Sequence, residues 1–99
     1  MSIIKGVLIE ERERLIEMEK MIKKRIEQLP KGSIRIRKLG KKEYRYFVYR
    51  EGSKVKNQYL KLSDDEVEEL QMKIAERKRL EQTLKSIQED FRIIRRALR

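Results

Sequence analysis

The chain has 99 residues, 38% of them hydrophobic and 44% charged, with a net charge of +10 and neither cysteine nor histidine. Those values exclude a disulfide framework, a thiolate zinc site and histidine-based acid–base catalysis, and they fit one domain over 1–99 with a small core. No apolar run approaches the ~20 residues of a membrane span, and "MSIIKGVLIEERERL" lacks a small-residue cleavage site, so a cytoplasmic protein is expected.

The first element is predicted as a helix over 1–29, its body running from 2 to 28. Met1, Leu8, Leu15, Ile22 and Leu29 recur every seven residues, with Ile4 and Met18 interleaved, and Val7, Ile16, Met21 and Ile26 widen that stripe. Pro30 and Gly32 end it, because proline disfavours a helical residue before it.

Three strands are predicted next, at 33–38, 43–50 and 53–61, forming an antiparallel meander. Glu51-Gly52 fits a two-residue hairpin loop, with glycine supplying the positive dihedral such loops need. That loop puts Tyr44, Tyr46, Val48, Val55 and Tyr59 on one face, expected to pack on the helices. The opposite face carries Arg45, Phe47, Tyr49, Lys54, Lys56 and Leu60. The first strand alternates Ile34 and Ile36 with Arg35 and Arg37, and one residue more or less in the loop near Gly40 exchanges their faces. Placing the isoleucines with the tyrosines would complete a cationic face with Arg35 and Arg37; the other register mixes the two faces.

The last element is predicted as a helix over 63–98. Ser63-Asp64-Asp65-Glu66 is a capping box, in which Glu66 reaches back to the amide of Ser63. The apolar stripe runs from Val67 through Leu70, Ile74, Leu80, Leu84, Ile87, Phe91 and Ile94 to Leu98, interrupted at Arg77 by a stammer. The fold class is α+β, order αβββα: two long antiparallel helices flanking a three-stranded sheet. At ~1.5 Å per residue the helices would be about 40 Å and 54 Å long, so the second should overhang over 90–99. Phe91, Ile94 and Leu98 in that overhang are the expected interface of a homodimer. The alternative is a monomer whose helix end folds back over the sheet.

Charge is concentrated. Residues 31–61 hold eleven basic and two acidic side chains, and five of the six aromatics. Both helical segments are nearly balanced, as solvated helix faces usually are. A basic, aromatic-bearing sheet is suited to phosphates and base faces together. Arg35, Arg37, Arg45, Phe47, Tyr49, Lys54 and Lys56 are therefore the candidate nucleic-acid-binding residues, against the plainer possibility of an ordinary half-buried sheet. DNA and RNA remain equally open as ligands.

Nothing suggests an enzyme. The carboxylates Asp64, Asp65, Glu66, Glu68 and Glu69 are read as a helix start rather than a metal site, and no catalytic residue or cofactor is expected. The rival function is a protein-interaction device, either a coiled-coil scaffold or a small phage-type inhibitor such as an anti-CRISPR protein.

Leu29-Pro30-Lys31-Gly32, Tyr44 to Tyr46, Tyr49-Arg50-Glu51-Gly52, Lys54-Val55-Lys56 and Tyr59-Leu60 together resemble an uncharacterised family of short prokaryotic proteins. The resemblance extends to the flanking helices and implies no established activity. Over 33–61 the chain is also similar, more weakly, to the arm-binding domains of tyrosine recombinases, which would imply a sheet laid in a DNA groove.

Overall fold

A computed structural model describes residues 2–99. The elements are α1 (Ile3–Glu27), β1 (Ser33–Leu39), β2 (Lys42–Glu51), β3 (Lys54–Tyr59) and α2 (Asp64–Ala97). The αβββα order is thus the one read from sequence. Met1, assigned to the first heptad position, lies outside the described residues. Contacts gather into two compact units, a helical one ending at Gln28 and resuming at Lys78, and a sheet-bearing one over Leu29–Arg77.

In the helical unit, Ser2 precedes α1 in extended backbone (φ −81°, ψ 135°), and its carbonyl accepts from the Gly6 amide at 3.2 Å. The heptad stripe then meets α2. Leu15, Ile87 and Ile94 are buried together, with Leu8, Met18, Ile22, Phe91 and Leu98 packed against them. Each such aliphatic side chain contributes about 1.5–3 kcal/mol when fully buried. The outer surface of α1 carries ion pairs one turn apart, Glu11 with Arg14, Glu17 with Lys20 and Glu19 with Lys23.

This packing corrects the expected overhang. Phe91, Ile94 and Leu98 face α1 of their own chain, and Ile94 is only 4% exposed. The length comparison assumed that both helices start flush. Instead the first fourteen residues of α2 belong to the sheet-bearing unit, and α1 has only the stretch from Lys78 onward to cover. Among the exposed apolar residues of the helical unit are Ile3, Ile4 and Val7 at the start of α1, 87%, 71% and 57% exposed, and Met21 and Ile93.

In the sheet-bearing unit the strands pair in the order β1-β2-β3, both pairings antiparallel. Each hairpin closes through two residues with glycine first, Gly40-Lys41 between Leu39 and Lys42, and Gly52-Ser53 between Glu51 and Lys54. Gly40 and Gly52 have φ of 65° and 63°, and no other described residue has a positive φ. That pattern belongs to the type II′ hairpin turn, whose first central position favours glycine. The second loop is therefore one residue later than Glu51-Gly52. Such a shift moves every cross-strand partner by two residues, so Tyr46 opposes Tyr59 but face membership survives.

Leu29, Val48, Val67 and Ile74 are the buried apolar residues of this unit. Gly32 is required by close packing rather than by its dihedral. A Cβ there would lie 2.5 Å from the Val48 carbonyl oxygen and 2.7 Å from the Phe47 ring. Arg77, the interruption in the α2 stripe, donates from Nη1 to the Leu29 carbonyl at 2.7 Å, just beyond the end of α1. At the start of α2 the Glu66 amide donates to Ser63 Oγ at 3.3 Å. The Glu66 carboxylate accepts from the Ser63 hydroxyl at 3.1 Å, so the return bond of the capping box goes to the side chain rather than the amide.

Candidate nucleic-acid interface

The register of β1 decides which cations share a face. Arg35 opposes Tyr46 and Arg37 opposes Tyr44, while Ile34 opposes Phe47 and Ile36 opposes Arg45. Directly opposed residues point the same way. One face therefore carries Ser33, Arg35, Arg37, Leu39, Lys42, Tyr44, Tyr46, Val48, Arg50, Val55, Asn57 and Tyr59. The other carries Ile34, Ile36, Lys38, Glu43, Arg45, Phe47, Tyr49, Glu51, Lys54, Lys56 and Gln58. The seven candidate residues do not form one surface. Arg35 and Arg37 lie with the tyrosines, across the sheet from Arg45, Phe47, Tyr49, Lys54 and Lys56.

The two faces differ in how their charge is answered. On the Arg45 face, Lys38 pairs with Glu43 at 3.6 Å and Lys56 with Glu51 at 3.2 Å. Arg45 pairs with Asp64, at the first turn of α2, at 2.7 Å, and the Arg45 side chain is only 28% exposed. Phe47 and Tyr49 are half-buried and stack on each other, with centroids 5.6 Å apart and planes at 22°. Of the cations on this face, Lys54 alone takes no part in an ion pair among the described residues.

Among the described residues, the strands contribute no carboxylate to the tyrosine face. Arg35, Arg37, Lys42 and Arg50 are exposed and form none of the ion pairs among the described residues. Tyr59 braces both neighbouring rings, 6.1 Å from Tyr44 and 5.6 Å from Tyr46, meeting them at 50° and 62°. Two open hollows of about 600 Å³ each border this face, one lined by Arg35, Arg37, Tyr46 and Asn57 with Ile36 and Lys38 of the opposite face, the other by Arg35, Val48, Arg50 and Val55 with Tyr49 among others.

The Arg45 face meets α2 through the Arg45–Asp64 ion pair, while the tyrosine face carries the buried Val48 and borders the hollows. Lys42, Arg50, Asn57, Tyr44, Tyr46 and Tyr59 are absent from the candidate set, although a signal for them exists in β2. Glu43 and Glu51 both occupy odd positions there, so the even-numbered face, with Tyr44 and Tyr46, carries neither acid.

Among the described residues no group of three or more acidic side chains is gathered as a metal site, and no helix is long and apolar enough to cross a membrane. No curated protein and no solved structure matches the chain. The likeness to recombinase arm-binding domains is thus left with nothing beyond three antiparallel strands. The family described as "Domain of unknown function (DUF6788)" matches residues 8–72, which hold the whole sheet, most of α1 and the first turns of α2, and the chain belongs to that family.

Proposed function

We propose that the protein is a non-catalytic nucleic-acid-binding module that meets phosphates with the tyrosine face of its sheet. The observation that carries this reading is the sorting of charge: four exposed cations beside three tyrosines, with no carboxylate contributed by the strands to their face. Cations without intramolecular partners concentrate positive potential, and guanidinium groups match phosphate oxygens geometrically. The Arg45 face serves the fold instead. Arg35 and Arg37 stay as phosphate contacts, and Lys42 and Arg50 take the place of Arg45, Lys54 and Lys56.

A salt titration of oligonucleotide binding tests the reading. If about four phosphates are neutralised, log affinity falls against log salt with a slope near −2.8 on single strands and near −3.6 on duplex DNA. A slope near zero, or no binding at low salt, would sink it.

A second reading, association with another copy or another protein, is favoured by Ile3, Ile4 and Val7 on the first turns of α1. Light scattering across concentration checks it. Ile4→Asp should abolish any self-association and leave oligonucleotide binding intact.

A further inference from the structure

The ligand of this face can be narrowed from its geometry, on the reading just given that the face binds nucleic acid. The geometry points to a single strand, its phosphates following β1 and its bases lying over Tyr44, Tyr46 and Tyr59.

The order of chemistry across the sheet carries the inference. Arg35 is directly opposite Tyr46, and Tyr46 is directly opposite Tyr59. One row thus reads guanidinium, phenol, phenol, and Arg37 beside Tyr44 starts a parallel row two residues away. Adjacent strands lie ~4.8 Å apart and same-face neighbours along a strand ~6.7 Å apart. On this face one edge, β1, contributes Arg35 and Arg37, β2 holds Tyr44 and Tyr46 between Lys42 and Arg50, and the other edge, β3, contributes Tyr59 and no cation. The cations therefore lie along β1 and at the ends of β2, while the rings lie between them and β3. A single strand has the same division, phosphates along one side and bases along the other.

A duplex does not divide this way. It presents phosphates on both sides of either groove, so a sheet docked on it needs cations on both outer strands. Here β3 contributes Val55, Asn57 and Tyr59 to the face, without a cation among them. A duplex also keeps its base faces inside its own stack and would leave the tyrosines unused. An unpaired base offers that face, and each base stacked on an aromatic ring contributes enough to matter. Asn57, which lines the hollow beside Tyr46, supplies both a donor and an acceptor for a base edge. Tyr59 holds Tyr46 through an edge contact and Tyr44 through a tilted one, so both rings need little reordering when a base arrives.

The test compares labelled DNA and RNA strands of about 15 nucleotides with their blunt duplexes, by anisotropy at low salt. The chain has no tryptophan, so its tyrosine emission reports on the rings directly. At least one single strand should bind about tenfold or more tighter than its duplex, with quenching of the tyrosine emission. Tyr46→Ala should weaken single-strand binding by about tenfold, and Tyr46→Phe, which keeps the ring, should not. Equal or tighter duplex binding would overturn the inference while leaving the nucleic-acid reading in place. No binding of any strand or duplex would overturn both. The comparison of ligands on the unaltered protein stands even if Tyr46→Ala fails to fold.

Discussion

On one face of the sheet Arg45 meets Asp64, Lys38 meets Glu43 and Lys56 meets Glu51; on the other, Arg35, Arg37, Lys42 and Arg50 form no ion pair among the described residues. The strands are the same and each face carries four cations. What separates the faces is pairing. A paired cation is partly spent on the fold, whereas an unpaired one projects its field into solvent. A net charge of +10, or an excess confined to one third of the chain, therefore cannot by itself locate a binding surface.

Substitutions on the two faces should fail in different ways, and stability is the larger effect. Phe47→Ala removes a half-buried ring that packs over Gly32 and stacks on Tyr49. It should destabilise the protein by about 2 kcal/mol or more in urea unfolding, while the protein that remains folded binds oligonucleotide as before. Binding lost by the folded variant would mean that the Arg45 face is the contact surface after all.

The turns come next. Gly40→Ala and Gly52→Ala place a side chain at φ of 65° and 63°, which costs roughly 1–2 kcal/mol each. Gly40→Ala is the sharper of the two, because that turn sets the register keeping Arg35 and Arg37 beside the tyrosines. Amide hydrogen exchange should show reduced protection in β1 and β2, and binding should weaken along with it.

The smallest stability effect belongs to the Arg45–Asp64 pair. Asp64 is largely exposed, so solvent screening limits the pair, and Arg45→Ala should cost less than about 1 kcal/mol in the same unfolding measurement. Binding should stay within about twofold. A large loss of affinity with unchanged stability would assign Arg45 to the ligand rather than to α2.

Much of this contrast was already legible in residue order. Alternation in β2 and β3 sorted Tyr44, Tyr46, Val48, Val55 and Tyr59 onto one face, and it did so with the hairpin loop misplaced, because a loop displaced by one residue preserves parity. The face of β1 was not legible from its own residues. Ile34 and Ile36 alternate with Arg35 and Arg37 symmetrically, so only the length of the Gly40 turn distinguishes the registers. Glycine followed by a polar residue, at Gly40-Lys41 and Gly52-Ser53, was the signal for both loops.

The helix overhang was misjudged for a different reason. Apolar periodicity reports which side of a helix is buried, not where along its length a partner begins. Arg77 marked that place. It breaks the α2 stripe at the residue that closes on the Leu29 carbonyl, and the next residue, Lys78, begins the helical unit.

The central claim is that the tyrosine face, not the Arg45 face, meets nucleic acid. The most direct measurement is the salt dependence of single-strand binding for two double variants of matched charge change, Arg35→Glu with Arg37→Glu, and Lys54→Glu with Lys56→Glu. The first pair should reduce the magnitude of the slope by about 1.4 and remove most of the affinity. The second should leave the slope near that of the unaltered protein. Equal losses from both pairs, or the larger loss from Lys54 and Lys56, would contradict the account.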